Sequence, residues 1–277
     1  MNRNLAFLLT TSLCWFGFTS TANAENTLAK IQRTGVLTVA IREDAAPFGY
    51  TGNNGKLRGY CLDFFALLES QLVNTLERDS LSIKLLKSTP SNRFSLVANN
   101  SVDLECGPNT IRDNAPEGID FSTGFFVTGT QFLVRKDNEI NPNSNLDGAQ
   151  LGVIANTTTS EYITERYPNA TIVSYRGLTA RNRGIQAVVQ GRIDAMISDG
   201  ILLRSEAQQQ QLPSVEYPLV PRIPLTCDRY GMIIQADDPE WQDLVNSVIE
   251  SPETETITKA WFGNLFNYIL PAKDFCQ

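Results

Sequence analysis

Thr158 and Thr159 stand where a helical stretch begins, and Thr158-x-x-Glu161 has the spacing of a capping box. The free amides of such a helix start form a ready site for an anion. Asp199 follows a buried strand, so its carboxylate can point into a cleft and hold a cation. The same place also suits the N-cap of the next helix. Asp194, just before it, reads as structural. Arginine forks match carboxylates bidentately, and Arg42, Arg93, Arg112 and Arg181 are candidates, although arginine is more often solvated. Arg181 lies close to Arg176 and Arg183, a run that also suits an exposed helix face. Catalysis has less to work with. The 277 residues include no histidine, which removes Ser–His–Asp and Cys–His chemistry and the commonest metal ligand. Glu43 and Glu105 could serve as general acids, but neither has a partner identifiable in the sequence.

The first residues read as a secretory leader. Arg3 is followed by the apolar stretch Leu5–Phe18 and then by Ala22-Asn23-Ala24, so residues 1–24 form a signal peptide cut after Ala24. The apolar stretch is short of the about 20 residues a membrane span needs. Net charge is −7, and the leader takes one positive charge with it. Such acidity argues against a nucleic-acid surface. Cys14 leaves with the leader; Cys61, Cys106, Cys227 and Cys276 remain. An even number in an exported chain suggests two disulfides with three possible pairings, and the wide spacing is unlike zinc ligation. Free buried thiols are the alternative, above all for Cys61 and Cys106.

The supporting elements follow from pattern. A short helix ends at Gly35, and Val36–Ile41 is a nearly continuous apolar run, the mark of a buried parallel strand. From Gly59 the period turns helical, with Cys61, Phe64, Phe65, Leu68 and Leu72 on one face. Strands are expected near Ile83–Leu86, Val102–Cys106, Gln131–Arg135, Leu151–Ile154, Ile193–Ile197 and Tyr230–Ile234. Helices are expected near Arg93–Val97, from Thr158, over Leu178–Gln190, Trp241–Glu250 and Thr254–Phe266. The polar stretch Asp137–Gly148 reads as a linker and Gln208–Gln211 as a loop. This alternation implies an α/β fold in two lobes with parallel-rich sheets.

A series of short motifs runs through the chain: Ile31–Leu37, Ala46-Pro47-Phe48, Gly55–Asp63, Val102-Asp103-Leu104, Asp120-Phe121-Ser122, Gly152-Val153, Gly191–Ala195 and Tyr230-Gly231-Met232. In order and spacing the series resembles the family 3 periplasmic solute-binding proteins, the amino-acid receptors of ABC importers. The resemblance implies a two-lobed, type II periplasmic-binding-protein-like fold with two crossing hinge strands. Residues 25–131 and 232–277 would form lobe 1 and residues 132–231 lobe 2. The lobes would close on a ligand held between them.

The resemblance also implies roles. Asp199 stands eight residues after Gly191, as the family's ammonium-binding aspartate does. Thr158 and Thr159 match the two threonines of a Gly-Thr-Thr, with Thr157 in place of the glycine. The family's Thr-x-x-Arg is replaced by Gly107-Pro108-Asn109-Thr110-Ile111-Arg112, so Arg112 takes the α-carboxylate with Thr110 in support; an ungapped match would put Ala115 there instead. Arg42-Glu43-Asp44, Asn92-Arg93 and Leu104–Gly107 resemble the glutamate/aspartate subgroup, in which arginines matching Arg42 and Arg93 face the distal carboxylate. Arg181 falls near a cleft-facing position and would add a further basic group. Related receptor cores fasten their C-terminal segment through a bridge matching Cys227–Cys276, which leaves Cys61–Cys106. The expected protein is therefore a monomeric periplasmic receptor for acidic amino acids that delivers to an inner-membrane ABC permease. It needs no cofactor or metal and catalyses nothing. The alternatives are a receptor for neutral polar amino acids such as glutamine and a cyclohexadienyl-dehydratase-like enzyme on the same scaffold.

Overall fold

Local signals set most of the elements. The computed structural model describes residues 25–52, 54–138, 140–265 and 275–276. The expected leader, 1–24, and Phe266, expected to end a helix, lie outside them. Asn26 caps α1 (Thr27–Thr34), and Gly35 closes it in the left-handed region. Then come β1 (Val36–Arg42), a small antiparallel sheet of β2 (Asp44–Ala45), β3 (Gly49–Thr51) and β4 (Leu57–Arg58), and α2 (Tyr60–Thr75). β5 (Ser82–Ser88), α3 (Arg93–Ala98), β6 (Leu104–Cys106) and β7 (Ile119–Phe121) follow. The chain crosses over through β8 (Phe126–Thr128) into β9 (Thr130–Val134). Beyond it lie β10 (Gln150–Ile154), α4 (Thr158–Arg166), β11 (Thr171–Tyr175), α5 (Ala180–Val189), β12 (Ala195–Asp199), α6 (Gly200–Gln209) and β13 (Leu219–Val220). It returns through β14 (Asp228–Tyr230) into β15 (Ile233–Gln235), then α7 (Pro239–Ile249) and α8 (Pro252–Phe262). Both of these last helices carry proline in the first turn behind a capping side chain, Asp238 and Ser251.

Two five-stranded sheets result, ordered β5-β1-β6-β15-β7 and β11-β10-β12-β9-β13. In each, the first three strands run parallel, and the strand that has just crossed from the other lobe, β15 or β9, enters antiparallel. Apolar side chains pack both faces of each sheet. In the first lobe one core holds Leu37, Val39, Phe64, Phe65 and Trp241, and the other Ala40, Val97, Phe121 and Ile233. In the second lobe the two cores centre on Met196 with Leu203 and on Phe132 with Ile197. The face Cys61, Phe64, Phe65, Leu68 and Leu72 of α2 is wholly buried. Among the described residues no helix is long and apolar enough to cross a membrane.

The two crossings run side by side, β8 pairing with β14 in an antiparallel ribbon of their own. Each is tight enough to require glycine. A Cβ on Gly129 would meet the Thr226 carbonyl oxygen at 1.9 Å, and one on Gly231 would meet Ile111 at 2.9 Å. Disulfides join Cys61 to Cys106 and Cys227 to Cys276. The first ties the start of α2 to the end of β6. The second ties the segment entering β14 to the chain's last residues.

Several local expectations are corrected. The single strand expected over Tyr230–Ile234 is two, β14 and β15. Between them Gly231 donates its N–H to Asn109 and Met232 donates to the Ser122 hydroxyl, so the backbone leaves the ribbon before joining the sheet. The helix expected from Leu178 starts at Ala180. Gln208 and Gln209 belong to the end of α6 rather than to a loop. The cap of α4 is Thr157, whose hydroxyl accepts the Ser160 N–H at 3.1 Å, and not Thr158 in a box with Glu161.

Candidate functional site

The displaced cap has a consequence for the cleft. Because Thr157 does the capping, the hydroxyls of Thr158 and Thr159 are left for other partners in the first turn of α4. Thr159 donates to Asp199 Oδ1 at 3.2 Å, and the Thr158 and Thr110 hydroxyls face each other at 3.4 Å across the lobes. Asp199 occupies the N-cap position of α6, but its side chain makes no capping bond. Its second oxygen accepts instead from the Tyr230 hydroxyl, which comes from the crossing strand β14. A carboxylate at the end of β12 is thus held by one donor from the first turn of α4 and one from the crossing ribbon. Burial pushes its pKa up, offset in part by Tyr230 and the Arg181 charge. Asp228, also on β14, is pushed up to about 7 by burial and by the Asp199 charge.

The opposite side is basic. Arg42 extends from the end of β1, and its side chain is 3% exposed. Its fork is gripped by Asp44, with Nε donating to Oδ1 at 2.8 Å and an Nη to Oδ2 at 2.9 Å. Arg93 opens α3, lies over the Phe94 ring at 4.4 Å, and donates to the Pro90 carbonyl at 2.6 Å. It also reaches the Asn156 carbonyl of the second lobe at 3.4 Å. Burial and the neighbouring Arg42 charge lower its pKa to about 10. Arg112 also lies over the Phe94 ring, at 5.1 Å. Arg181, buried on α5, crosses the cleft to donate to the Asp44 carbonyl at 2.5 Å. Among the described residues, the buried Nε atoms of Arg93, Arg112 and Arg181 have no hydrogen-bond partner.

All eight residues singled out in the sequence, Arg42, Arg93, Thr110, Arg112, Thr158, Thr159, Arg181 and Asp199, line one cavity between the lobes. Its volume is about 30 Å³, roughly the room two water molecules take on the same measure. Arg112 and not Ala115 reaches the cavity; Ala115 packs against the core around Val97 and Phe121. Arg176 and Arg183 are exposed, whereas Arg181 is buried. Asp194 accepts from the Gln150 N–H at 2.8 Å, a structural bond at the start of β10. The two possible acids sit elsewhere. Glu43 pairs with Lys87 at 3.0 Å. Glu105 is fully buried behind the arginines, with Ser88 and Asn109 each donating to it at 2.6 Å. Burial raises its pKa.

Sequence reasoning missed Asp44, Tyr230 and Phe94 as parts of this site. Asp44 and Phe94 adjoin residues already singled out, Arg42 and Arg93. Tyr230 gave no signal, because its contact with Asp199 joins the crossing strand β14 to the end of β12, 31 residues away in sequence.

The chain is similar to known proteins along most of its length. It is 29% identical over 253 residues to the glutamate/aspartate import solute-binding protein of Escherichia coli (strain K12), spanning 91% of this chain and 83% of that one. It is 28% identical to the L-glutamate/L-aspartate-binding protein of Pseudomonas aeruginosa, spanning 85% and 80%. In fold it matches the ancestral amino-acid-binding protein AncCDT-1, a precursor of cyclohexadienyl dehydratase, with a TM-score of 0.72 at 24% identity over 86% of this chain and 99% of that one. It likewise matches the ArgBP of T. maritima in a P235GK mutant, with a TM-score of 0.73 at 21% identity over 85% and 99%. Residues 37–264 fit the model of the bacterial extracellular solute-binding proteins, family 3, and the chain belongs to that family.

Proposed function

We propose that this solute-binding protein captures an acidic amino acid, glutamate or aspartate, between its lobes and hands it to an ABC permease. The observation that supports this most is the charge inventory of the cleft. Among the described residues four arginines and one aspartate line it, and three of the arginines keep a buried Nε without a partner there. Buried charge without compensation is costly, so a ligand carrying two carboxylates and one ammonium balances the set best. In this reading Asp199 takes the ammonium. Arg112, with the amides and hydroxyls at the start of α4, takes the α-carboxylate. Arg93, Arg42 and Arg181 face the side-chain carboxylate. Relatives whose names give glutamate and aspartate as ligands point the same way.

The division into lobes, 25–131 with 232–277 and 132–231, belongs to this proposal, with β8 and β14 as the hinge. So do export by a leader cut after Ala24, a periplasmic location and a monomeric state. The protein acts without catalysis: both candidate general acids lie off the cavity, Glu105 with both oxygens engaged and Glu43 paired with Lys87. A thermal-shift screen of the mature protein against all amino acids tests the reading, since a ligand that binds only the folded state raises the melting temperature. Stabilisation by glutamate or aspartate is expected. A response confined to neutral or basic amino acids would sink the acidic ligand, and turnover of prephenate or arogenate would overturn the non-catalytic role.

A further inference from the structure

A second, larger cavity adjoins the first. Its volume is about 120 Å³, and it too lies between the lobes, lined by Thr89 and Ser91 on one side and Ala155, Arg176 and Leu178 on the other. Pro90 and Ile154 line both cavities. Asp44 lines the second, while the two arginines that grip it, Arg42 and Arg181, line the first. The Asp44 side chain is 5% exposed, and its backbone is fixed in β2 opposite Tyr50 of β3. Both halves of the residue are engaged. The carboxylate holds the Arg42 fork, and the carbonyl receives Arg181 from the other lobe. The neighbouring Arg42 and Arg181 charges keep its pKa below the usual value against the cost of burial.

We infer that Asp44 is the end wall of the ligand cavity and sets the longest acidic side chain the protein accepts. This rests on the acidic-ligand reading above. The wall carries the same charge as the group it stops, so a longer side chain meets both a steric limit and a like charge on Arg42. With the side chain removed, the two cavities join. A longer carboxylate can then take the place on Arg42 that Asp44 gives up, within reach of Arg176.

Calorimetric titration of the mature protein and its Asp44→Ala and Asp44→Asn variants with aspartate, glutamate and 2-aminoadipate tests this. These ligands carry one, two and three methylenes in the side chain. The wild type should bind 2-aminoadipate about 100-fold more weakly than its better natural acid, and Asp44→Ala should narrow that gap about tenfold or more. Asp44→Asn keeps the size of the wall but removes its charge, and should narrow the gap by less than Asp44→Ala does, by no more than about threefold. If Asp44→Ala does not fold, Asp44→Ser carries the same expectation. An unchanged gap in the shortened variants, or equal binding of 2-aminoadipate by the wild type, overturns the wall. A gap narrowed as much by Asn as by Ala shows charge alone at work and also overturns it. Absence of binding to all three acids by the wild type defeats the acidic-ligand reading and the wall together, an outcome distinct from the others.

Discussion

The two faces of the cleft solve different problems. The second-lobe face is a helix start and a carboxylate whose groups bond largely to one another: Thr157 caps α4, and Thr159 donates to Asp199. The first-lobe face is a stack of cations on Phe94 and behind it, where burial first, and then the Arg42 and Arg112 charges, lower the pKa of Arg93. One face bonds within itself; the other carries like charges that an anion relieves. A common amino-acid end read mainly by the first, with Arg112 reaching over to complete it, and a side chain read mainly by the second, with Arg181 added from α5, would follow from that difference. Preorganised donors suit the part every ligand shares, and excess charge suits the part that distinguishes acids.

Removing the carboxylate at the centre of the ordered face should have the largest effect. Asp199→Ala should weaken every α-amino acid by about 100-fold or more, since it deletes a charge-assisted partner and leaves the Tyr230 hydroxyl unpaired. Titration against glutamate and glutamine checks this, and unchanged affinity for either would break the assignment. On the charged face, Arg93→Ala should weaken glutamate and aspartate about 10- to 100-fold while leaving any residual glutamine binding within about threefold. A uniform loss would show that the faces do not divide their work.

The pH dependence separates the faces further. Because burial raises the Asp199 pKa, falling pH protonates the carboxylate that meets the ammonium, so affinity should decline as pH falls. Binding isotherms at stepped pH would show it, and stronger binding in acid would contradict it. Asp228 is linked to folding. It stays protonated in the native chain up to about 7 but ionises near 3.8 once exposed. Its stabilising contribution is full below about 3.8 and is lost as pH rises toward 7. Asp228→Asn should therefore lose less melting temperature than the wild type between about pH 4 and pH 7. The smallest effect is expected from Thr158→Val, which removes a hydroxyl but leaves the helix amides in place. Affinity should drop by about two- to fivefold, and a loss as large as that of Asp199→Ala would move the anion site onto the side chain.

Features carried by neighbours in sequence were legible. Gly35 ends α1 as its position implies, and the 3- and 4-residue spacing from Cys61 to Leu72 marks a wholly buried face. The order of motifs was enough to choose Arg112 and Asp199, which the fold brings to one cavity. Contacts between distant segments were not legible. The hold of Tyr230 on Asp199 joins the crossing strand to the end of β12, and the reach of Arg181 to Asp44 depends on how closely the cleft shuts. The break at Gly231 was hidden because both halves of that stretch are apolar and extended. Only the bonds to Asn109 and Ser122 show where the chain leaves one partner for the next. A one-residue shift in the α4 cap had the same origin, since three consecutive threonines can each cap equally well in sequence.

The central claim is that a cation-rich face and an ordered carboxylate face together select an acidic amino acid. Direct calorimetric titration of the mature protein with glutamate, aspartate and glutamine at neutral pH tests it most plainly. The account predicts one-to-one binding of glutamate or aspartate at least about tenfold tighter than glutamine. Tighter binding of glutamine, or heat from none of the three, would contradict it.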